Sequence, residues 1–161
     1  MTMHGQIELA PDGSAEYPGV RQAWLALLAR ADIEELDQAF SRLAPPPRYE
    51  FLRPPESGMV MLRARIGGTG DPFHLGEASV TRCSVRIHGG HTGTGYVLGR
   101  QRRKAELVAL FDALLMEPDN RSDLERSLLR PLRERLRDER AAGAQSSGTT
   151  KVEFFTMVRG D

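Results

Sequence analysis

The sequence has one cysteine and two lysines, and it lacks any long apolar run. Cys83 has no second cysteine in the chain with which to form a disulfide bond. No stretch approaches the roughly 20 apolar residues that a membrane-spanning helix needs. The first residues show no basic segment followed by an apolar one, which is the pattern of a secretory signal. Together these features predict a cytoplasmic protein without a membrane segment.

The chain also lacks an excess of charge of either sign, since 22 basic residues balance 22 acidic ones. This balance argues against a general binder of nucleic acid or of anionic membranes. Apart from Lys104 and Lys151, every cation other than histidine is arginine. Arginine makes planar, bidentate contacts with carboxylates and phosphates, which suits interfaces and anion sites. A GC-rich genome, whose codons favour arginine, explains the bias equally well.

The length of 161 residues fits one domain. Residues 1–19 are polar, contain glycine and proline, and show no periodicity, so they predict a flexible N-terminal arm. The remainder, residues 20–161, is predicted to form a single α+β domain.

Four stretches have the spacing of apolar residues that is typical of helices. The first begins near Val20. The second has Asp32 as its N-cap and Glu35 in the position of a capping-box partner. The third covers residues 101–117.

The fourth helix is predicted to begin at Ser122, with Glu125 completing a second capping box. Pro131 should kink or split it. Residues 141–150 are small and polar and are interpreted as a linker.

Strand-like sequence occupies residues 48–53, 58–66, 73–87, 92–98 and 151–159. The short connections predict a mainly antiparallel sheet of about five strands with helices packed on one face. In the second strand, alternation would turn Val60, Leu62, Ala64 and Ile66 toward the core. The alternation slips near Gly76, which predicts a β-bulge.

The closing strand has apolar residues on both faces: Val152, Phe154 and Val158 lie on one, and Phe155 and Met157 lie on the other with Glu153 and Arg159. Such a strand needs cover on both sides. Two interpretations have equal weight: a central strand of the sheet of this chain, or a strand covered by a partner protein.

Four cations crowd the start of the third helix: Arg100, Arg102, Arg103 and Lys104. The helix dipole disfavours cations there by about 0.3–1 kcal/mol each, and a bound phosphate or partner carboxylate would reverse that cost. The alternative is a solvated helix face on which Arg102 pairs with Glu106.

The turn formed by Gly67, Gly68, Thr69 and Gly70 is a second candidate anion site, through its backbone amides. It lacks the Gly-Lys-Ser/Thr of a phosphate-binding loop, so a glycine-rich hairpin turn is the simpler interpretation. Gly93-Thr-Gly95 does not match the dinucleotide-binding pattern either.

Other reactive side chains do not complete a site. His88 and His91 flank two glycines, but no third ligand follows at a known spacing, so no metal site is predicted. Cys83 is expected to be a buried residue of the apolar core, not a nucleophile. Glu77 and Arg82 lie five residues apart on one strand and should face opposite sides. The residues alone therefore predict a domain that binds anions and partners but has no complete catalytic set.

Five segments, in order and spacing, resemble the PhnG family of bacterial carbon–phosphorus lyase subunits. They are Arg65-Ile-Gly-Gly-Thr-Gly70, Leu75-Gly-Glu-Ala-Ser-Val-Thr-Arg82, Gly95-Tyr-Val-Leu-Gly-Arg100, Lys104-Ala-Glu-Leu-Val-Ala-Leu-Phe-Asp-Ala-Leu114 and Val152-Glu-Phe-Phe-Thr-Met-Val-Arg-Gly-Asp161. The long N-terminal arm and the glycine-rich hairpin after His88 depart from the family pattern.

The resemblance implies a subunit of a complex with PhnI, PhnH and PhnJ, which works together with PhnL. Such a complex transfers the ribose 5-triphosphate of ATP, with Mg, to an alkylphosphonate such as methylphosphonate and releases adenine. ATP is then a substrate of the complex, and this chain holds no cofactor. PhnI alone has nucleosidase activity, so the chain would organise or redirect it toward the phosphonate.

The family supplies no catalytic residue for this chain. The anion or interface candidates are Arg65, Gly67, Gly68, Thr69, Gly70, Glu77, Arg82, Arg100, Phe154, Phe155 and Arg159. The alternative hypotheses are a stand-alone small enzyme, or a binding or regulatory module, acting on phosphorylated ligands through the arginine and glycine residues.

Overall fold

The computed structural model describes residues 18–65 and 70–148. The elements are α1 (Pro18–Leu28), α2 (Ile33–Ser41), β1 (Tyr49–Arg65), β2 (Pro72–Ile87), β3 (Thr92–Leu98), α3 (Arg102–Met116), α4 (Pro118–Leu124), a π-helical turn (Glu125–Leu129) and α5 (Arg130–Gly148). The predicted α+β class is confirmed. No helix in these two ranges is long and apolar enough to cross a membrane.

The sheet is antiparallel with the strand order β1-β2-β3. The described residues thus contain three strands, where the sequence predicted about five in the whole chain. Two predicted strands, residues 48–53 and 58–66, are one continuous strand, β1. Register shifts between Phe51 and Arg53 and between Arg53 and Glu56 let that strand pass through Pro54 and Pro55 without losing its pairing to β2. The predicted closing strand, residues 151–159, lies outside the described residues.

Helix α3 forms the centre of the core and packs directly on the sheet. A Cβ atom at Gly93 would lie 1.9 Å from the Ala109 carbonyl oxygen, and one at Gly95 would lie 2.2 Å from the Ala105 carbonyl oxygen. Only glycine therefore lets β3 approach the helix backbone so closely. Gly93 and Gly95, which do not match the dinucleotide-binding pattern, therefore allow close packing of β3 against α3.

The helices cover one face of the sheet, as predicted. On β2 this face carries the buried Thr81, Cys83 and Val85, and on β3 it carries the buried Val97. Because side chains alternate along a strand, the intervening residues point to the opposite face, which we call the open face.

The hairpin of β1 and β2 extends beyond the helices as a two-stranded ribbon, residues 58–65 and 72–79. The prediction that Val60 and Leu62 face the core is wrong: they lie on the open face and are 39% and 38% exposed. The alternation is present, but the register pairs Val60 with Ala78 and Leu62 with Gly76, on the face opposite the described helices. The predicted bulge is confirmed, since the register shifts opposite Gly76.

The beginning of α2 is as predicted, with the Asp32 backbone N–H donating to the Glu35 carboxylate over 2.8 Å. The predicted helix start at Ser122 is wrong. Helix α4 begins four residues earlier because Pro118 occupies its first turn, where its fixed φ favours the helix.

The predicted disruption near Pro131 takes the form of the π-helical turn that directly precedes it. The turn keeps the leucines at the predicted four-residue spacing buried, namely Leu124, Leu128, Leu132 and Leu136. The linker predicted at residues 141–150 is helical as far as Gly148, because alanine favours helix more strongly than the polar residues around it oppose it.

Candidate functional site

The turn between β3 and α3 is tied to the middle strand by two hydrogen bonds. The Gly99 N–H donates to the Ser79 carbonyl over 2.8 Å, and the Thr81 hydroxyl donates to the Gly99 carbonyl over 2.7 Å. Gly99 has a φ of +83°, which a residue with a side chain adopts only with strain. These bonds fix the point at which Arg100 leaves the sheet.

Ser57 on β1 extends this network. Its Oγ lies 2.9 Å from Thr81 Oγ1. Because the Thr81 proton is directed to Gly99, Ser57 is the donor in this bond. The Ser57 proton is therefore committed to the fold, and the side chain is not arranged as an activated nucleophile.

An open cleft of about 330 Å³ lies beside this network, at the base of the ribbon. It is lined by Ser57, Gly58, Met59, Arg100 and Arg102. One wall comes from β1 and the other from the start of α3. We call it the arginine cleft.

The two arginines of the arginine cleft have no hydrogen-bond or ion-pair partner among the residues that the structure describes. The first turn of α3 contains no acidic residue, and Gln101 makes no side-chain capping bond. Two arginines thus line a cleft at a helix start that no side chain caps. This arrangement favours an anion such as a phosphate, a phosphonate or a carboxylate.

The next cation, Arg103, is fully engaged within the fold. Its Nη2 lies 3.0 Å from Asp37 Oδ1, its Nη1 lies 3.2 Å from Glu106 Oε1, and its guanidinium stacks over Phe40 at 5.3 Å. The predicted pairing of Arg102 with Glu106 is therefore wrong. Arg103, three residues before Glu106, forms the ion pair with it, and Arg102 lines the arginine cleft instead.

Burial shifts the pKa values of two further groups near this helix. It lowers the pKa of Lys104, an effect that the charges of Asp32 and Glu35 partly offset. Burial also raises the pKa of Tyr49 to about 12, assisted by the hydrogen bond to Glu106 Oε1 at 2.5 Å. Tyr49 stays protonated at neutral pH and acts as a bridge between β1 and α3.

Asp112 is the one charged residue that is wholly buried in the described part of the chain. Its oxygens accept bonds from Arg21 Nε at 3.1 Å, Arg21 Nη2 at 2.6 Å, Trp24 Nε1 at 2.9 Å and the Thr94 backbone N–H at 2.9 Å. The carboxylate therefore joins α1 and α3 to the outer edge of β3. All of its bonds are internal, so it is structural.

The remaining predicted site residues do not line the arginine cleft. Arg82 pairs with Glu56 over 2.7 Å on the open face, and Glu77, as predicted, lies on the opposite face. Arg65 Nη1 donates to the Gly70 carbonyl over 3.1 Å at the end of the ribbon. Of these predicted candidates, only Arg100 contributes to the arginine cleft.

Several predicted site residues lie outside the described residues, so their roles stay predictions. They concern Gly67, Gly68 and Thr69 of the glycine-rich turn, and Phe154, Phe155 and Arg159 of the closing segment.

The other reactive side chains have structural surroundings. Cys83 is buried, as predicted, and burial together with the charge of Glu106 raises the pKa of its thiol to about 11. His91 Nε2 lies 3.7 Å from Glu117 Oε1. Within residues 18–65 and 70–148, no three His, Cys, Asp or Glu side chains come together as a metal site would require.

Sequence reasoning missed Ser57 and Met59 as cleft residues and assigned Arg102 to the wrong environment. A signal for Arg102 was present in the run of cations without a capping acid. Ser57 and Met59 had none, because their place beside α3 depends on the register of β1 against β2.

Comparison with known proteins gives a family match and a curated relative. A model of the family described as "Phosphonate metabolism protein PhnG" matches residues 19–160. The chain is also 43% identical over 141 residues to a protein of Rhizobium meliloti (strain 1021) named alpha-D-ribose 1-methylphosphonate 5-triphosphate synthase subunit PhnG. That alignment covers 88% of this chain and 90% of the relative.

Proposed function

Because the chain belongs to the PhnG family of phosphonate metabolism proteins, we propose that it is a non-autonomous subunit of a synthase complex that transfers the ribose 5-triphosphate of ATP to an alkylphosphonate. A phosphonate oxygen forms the new bond to ribose C1′, the bond from C1′ to adenine N9 breaks, and adenine leaves with a proton on N9. The observation that carries the proposal is the 43% identity to a relative that is itself named as a synthase subunit.

The chemistry of the described residues supports a subunit role. Ser57 has its proton engaged in the fold, and burial holds Cys83 and Tyr49 in their protonated forms. Asp112 has its bonding capacity filled by internal donors. Residues 18–65 and 70–148 therefore supply no activated nucleophile and no matched acid and base.

In this proposal the nucleosidase subunit PhnI carries out the bond exchange, and the present chain directs it toward the phosphonate instead of water. PhnH and PhnJ are further partners, and PhnL takes part functionally. ATP, with Mg, is a substrate of the complex, and this chain has no cofactor of its own.

The arginine cleft is the place at which this chain would meet an anionic group. Arg100 and Arg102 offer donors in the planar geometry that phosphate and phosphonate oxygens accept. Holding the phosphonate, or the triphosphate of ATP, would favour its attack over that of water through positioning alone. In this proposal, Arg100 and Arg102 at the start of α3 are the residues through which the chain takes part in the reaction.

The closing segment is proposed as an interface element. Its alternation puts Phe154 and Phe155 on opposite faces, so cover by a partner subunit would satisfy both, and Arg159 would lie at the end of that contact.

The proposal is tested by reconstituting the reaction with and without this chain. PhnI is incubated with ATP and methylphosphonate alone, then with PhnH and PhnL, then with the present chain added. Chromatography measures adenine, and phosphorus NMR identifies the ribose product. We expect ribose 1-methylphosphonate 5-triphosphate only when this chain is present, and plain hydrolysis without it.

Two outcomes would contradict the proposal. If the purified chain alone turned over ATP, it would be a stand-alone enzyme. If the ratio of transfer to hydrolysis were the same with and without it, the chain would have no directing role.

A further inference from the structure

Met59 lies beside the two arginines of the arginine cleft and is open to solvent. It lines the cleft together with Arg100 and Arg102, and 56% of the residue is exposed. Its cross-strand partner is Ser79, so it belongs to the ribbon face that continues the helix-covered side. A dissolved peroxide therefore has access to its thioether, the group at which methionine is oxidised.

The sulfur atom of Met59 is held in place by Ser79. The Ser79 hydroxyl donates a hydrogen bond to Met59 Sδ over 3.4 Å. The Ser79 carbonyl accepts the N–H of Gly99, the residue before Arg100. One residue of β2 thus positions both the sulfur and the turn from which Arg100 leaves the sheet. The bond from Ser79 uses one of the two lone pairs of the sulfur, and the second is available to attack a peroxide.

Oxidation changes Met59 from an apolar residue to a polar one. The sulfur lone pair forms a bond to one oxygen of hydrogen peroxide, the O–O bond breaks, and the other oxygen leaves as water with both protons. The sulfur is oxidised by two electrons, and the peroxide is reduced by two. The new sulfoxide oxygen is a strong hydrogen-bond acceptor, whereas a thioether sulfur is a weak one.

The arginine cleft supplies donors for that oxygen. Within residues 18–65 and 70–148, Arg100 and Arg102 have no hydrogen-bond or ion-pair partner. A bond from a guanidinium to a polarised oxygen is charge-assisted and correspondingly strong. Because Met59 lines the same cleft, its sulfoxide is always at hand, whereas an anion must be taken up from solution. The sulfoxide therefore competes with the anion for the same N–H groups.

Met61 is a close match to Met59 without a place in the cleft. It is 57% exposed and lies on the same face of the same strand, with Glu77 as its cross-strand partner. It stands about 7 Å further along the ribbon and does not line the cleft. Cys83 is buried, and burial raises the pKa of its thiol, so it reacts slowly with peroxide.

We propose that Met59 is a peroxide-sensitive modification site, and that its sulfoxide occupies the guanidinium donors of the arginine cleft and so weakens anion binding there. The effect on transfer rests on the proposed function, because that function assigns the cleft to a phosphonate or a triphosphate. Methionine sulfoxide reductases reverse the modification, so oxidation and reduction switch the cleft in both directions.

Oxidising the chain before assembly restricts the treatment to this subunit. The parent chain, Met59→Leu and Met61→Leu are each treated with hydrogen peroxide, catalase removes the excess, and peptide mass spectrometry gives the oxidised fraction of every methionine. Untreated partner subunits are then added. Methylphosphonate-dependent transfer is divided by that of the same variant without peroxide. We expect a loss of about tenfold for the parent and Met61→Leu, as for one charge-assisted bond, and a ratio near one for Met59→Leu.

Glutamine imitates the sulfoxide without an oxidant, because its side-chain carbonyl is a polar acceptor at a similar position. Met59→Gln should lower transfer about tenfold relative to Met59→Leu. Met61→Gln should match the parent. Both positions are more than half exposed, so thermal unfolding should be unchanged in all four variants. Equal transfer by Met59→Gln and Met59→Leu would overturn the inference.

NMR of the guanidinium Nε–H groups in the full chain tests the sulfoxide contact independently of the reaction. Arg100→Lys and Arg102→Lys assign the two signals. We expect peroxide to shift at least one of them in the parent chain and neither in Met59→Leu. Unchanged signals beside an oxidised Met59 would overturn the inference, as would equal loss of transfer by the parent and Met59→Leu.

The two readouts separate this inference from the proposed function. If the arginine signals shift but the unoxidised complex shows no methylphosphonate-dependent transfer, the sulfoxide contact stands and the proposed function fails. If the unoxidised complex carries out transfer but the arginine signals do not respond to oxidation of Met59, the proposed function stands and the modification site fails.

Discussion

The guanidinium of Arg21 on α1 holds the carboxylate of Asp112 on α3 through two bonds, with Nη2 at 2.6 Å from Oδ2 and Nε at 3.1 Å from Oδ1. The same carboxylate accepts the Thr94 N–H, so it also closes the outer edge of β3. The hydrogen bond to Asp112 raises the pKa of Arg21. This pair therefore fixes α1 and the sheet edge to the central helix.

Replacing Asp112 with alanine should destabilise the fold strongly. The change removes the acceptor of Arg21, Trp24 and Thr94 at once, and breaking a buried pair by removing one partner costs about 3–5 kcal/mol. Urea unfolding followed by circular dichroism measures the loss.

The matched control is Asp37→Ala, which removes a partly exposed ion pair to Arg103. That loss should stay within about 1 kcal/mol. Similar losses at the two aspartates would contradict the role assigned to the buried pair.

Gly93→Ala should disturb the contact between β3 and α3. The added Cβ would stand 1.9 Å from the Ala109 carbonyl oxygen and 2.5 Å from the Ala113 backbone nitrogen, and neither atom moves without displacing the helix. We expect a loss of about 3 kcal/mol in the free energy of unfolding, or failure to fold.

Gly143→Ala on α5 is the opposite case. A Cβ there meets nothing within 4 Å, so the change should raise stability by about 1 kcal/mol through helix propensity. If Gly93→Ala left the free energy of unfolding unchanged, the strand could move away from the helix at little cost.

The contrast between these glycines and Val60 shows which parts of the fold were predictable. The spacing of apolar residues in α3 and the alternation in β2 depend on local geometry, and both were predicted from the sequence. Whether Val60 faces the helices depends on the cross-strand register of β1 against β2, which alternation along one strand does not encode. The same limit applies to residues 54–57, where two separate strands were predicted and cross-strand pairing maintains one.

Stability should fall at alkaline pH in two stages. The pKa of Cys83 rises to about 11 in the fold from an ordinary value of 9.0, and that of Tyr49 rises to about 12 from 10.0. A group whose pKa is raised on folding contributes stability below its unfolded pKa and loses it as the pH rises through the folded pKa. Each group therefore contributes a fall of at most about 1.4 kcal/mol per pH unit within its interval.

Unfolding in urea at pH 8, 9, 10 and 11 measures this dependence, and two variants separate its parts. Cys83→Ala should remove the fall that begins near pH 9, and Tyr49→Phe should remove the one that begins near pH 10. Identical pH profiles for the parent and Cys83→Ala would argue against a buried, protonated thiol.

Deleting residues 154–161 should weaken assembly with PhnI. The prediction rests on the two-sided apolar pattern of this segment in the sequence, which lies outside the described residues. Co-purification from co-expressing cells measures it, with Lys151→Ala as the control, since that side chain precedes the apolar stretch. A truncated chain that folds and still co-purifies with PhnI at the parental ratio would refute the interface role.

The arginine cleft shows why the candidate site was only partly predictable. Arg100 was found because a run of cations at a helix start is visible in sequence. Arg102 was misassigned because Arg103 and Glu106, rather than Arg102 and Glu106, meet once Asp37 of α2 is in place. That outcome depends on tertiary packing of α2 against α3, which spacing along α3 does not determine.

Arg100→Ala and Arg102→Ala should each reduce methylphosphonate-dependent transfer in the assembled complex. Removing one guanidinium loses a charge-assisted hydrogen bond to an anionic group, worth about 1.5–3 kcal/mol, or about a tenfold to hundredfold loss of rate at low substrate. Both arginines lack partners among the described residues, so neither change should disturb the fold or co-purification. Adenine release with and without methylphosphonate is the measurement.

Arg137→Ala on α5 is the control, because that exposed arginine contacts only its neighbour Asp138 among the described residues, at 3.3 Å. It should leave transfer unchanged. Charge reversal at Arg102 to glutamate should lower transfer further than alanine does, since a carboxylate repels the anion as well as failing to bind it. If alanine and glutamate at this position both gave the parental rate, the cleft would not contact an anion in the reaction, and the chain would act through its subunit contacts alone.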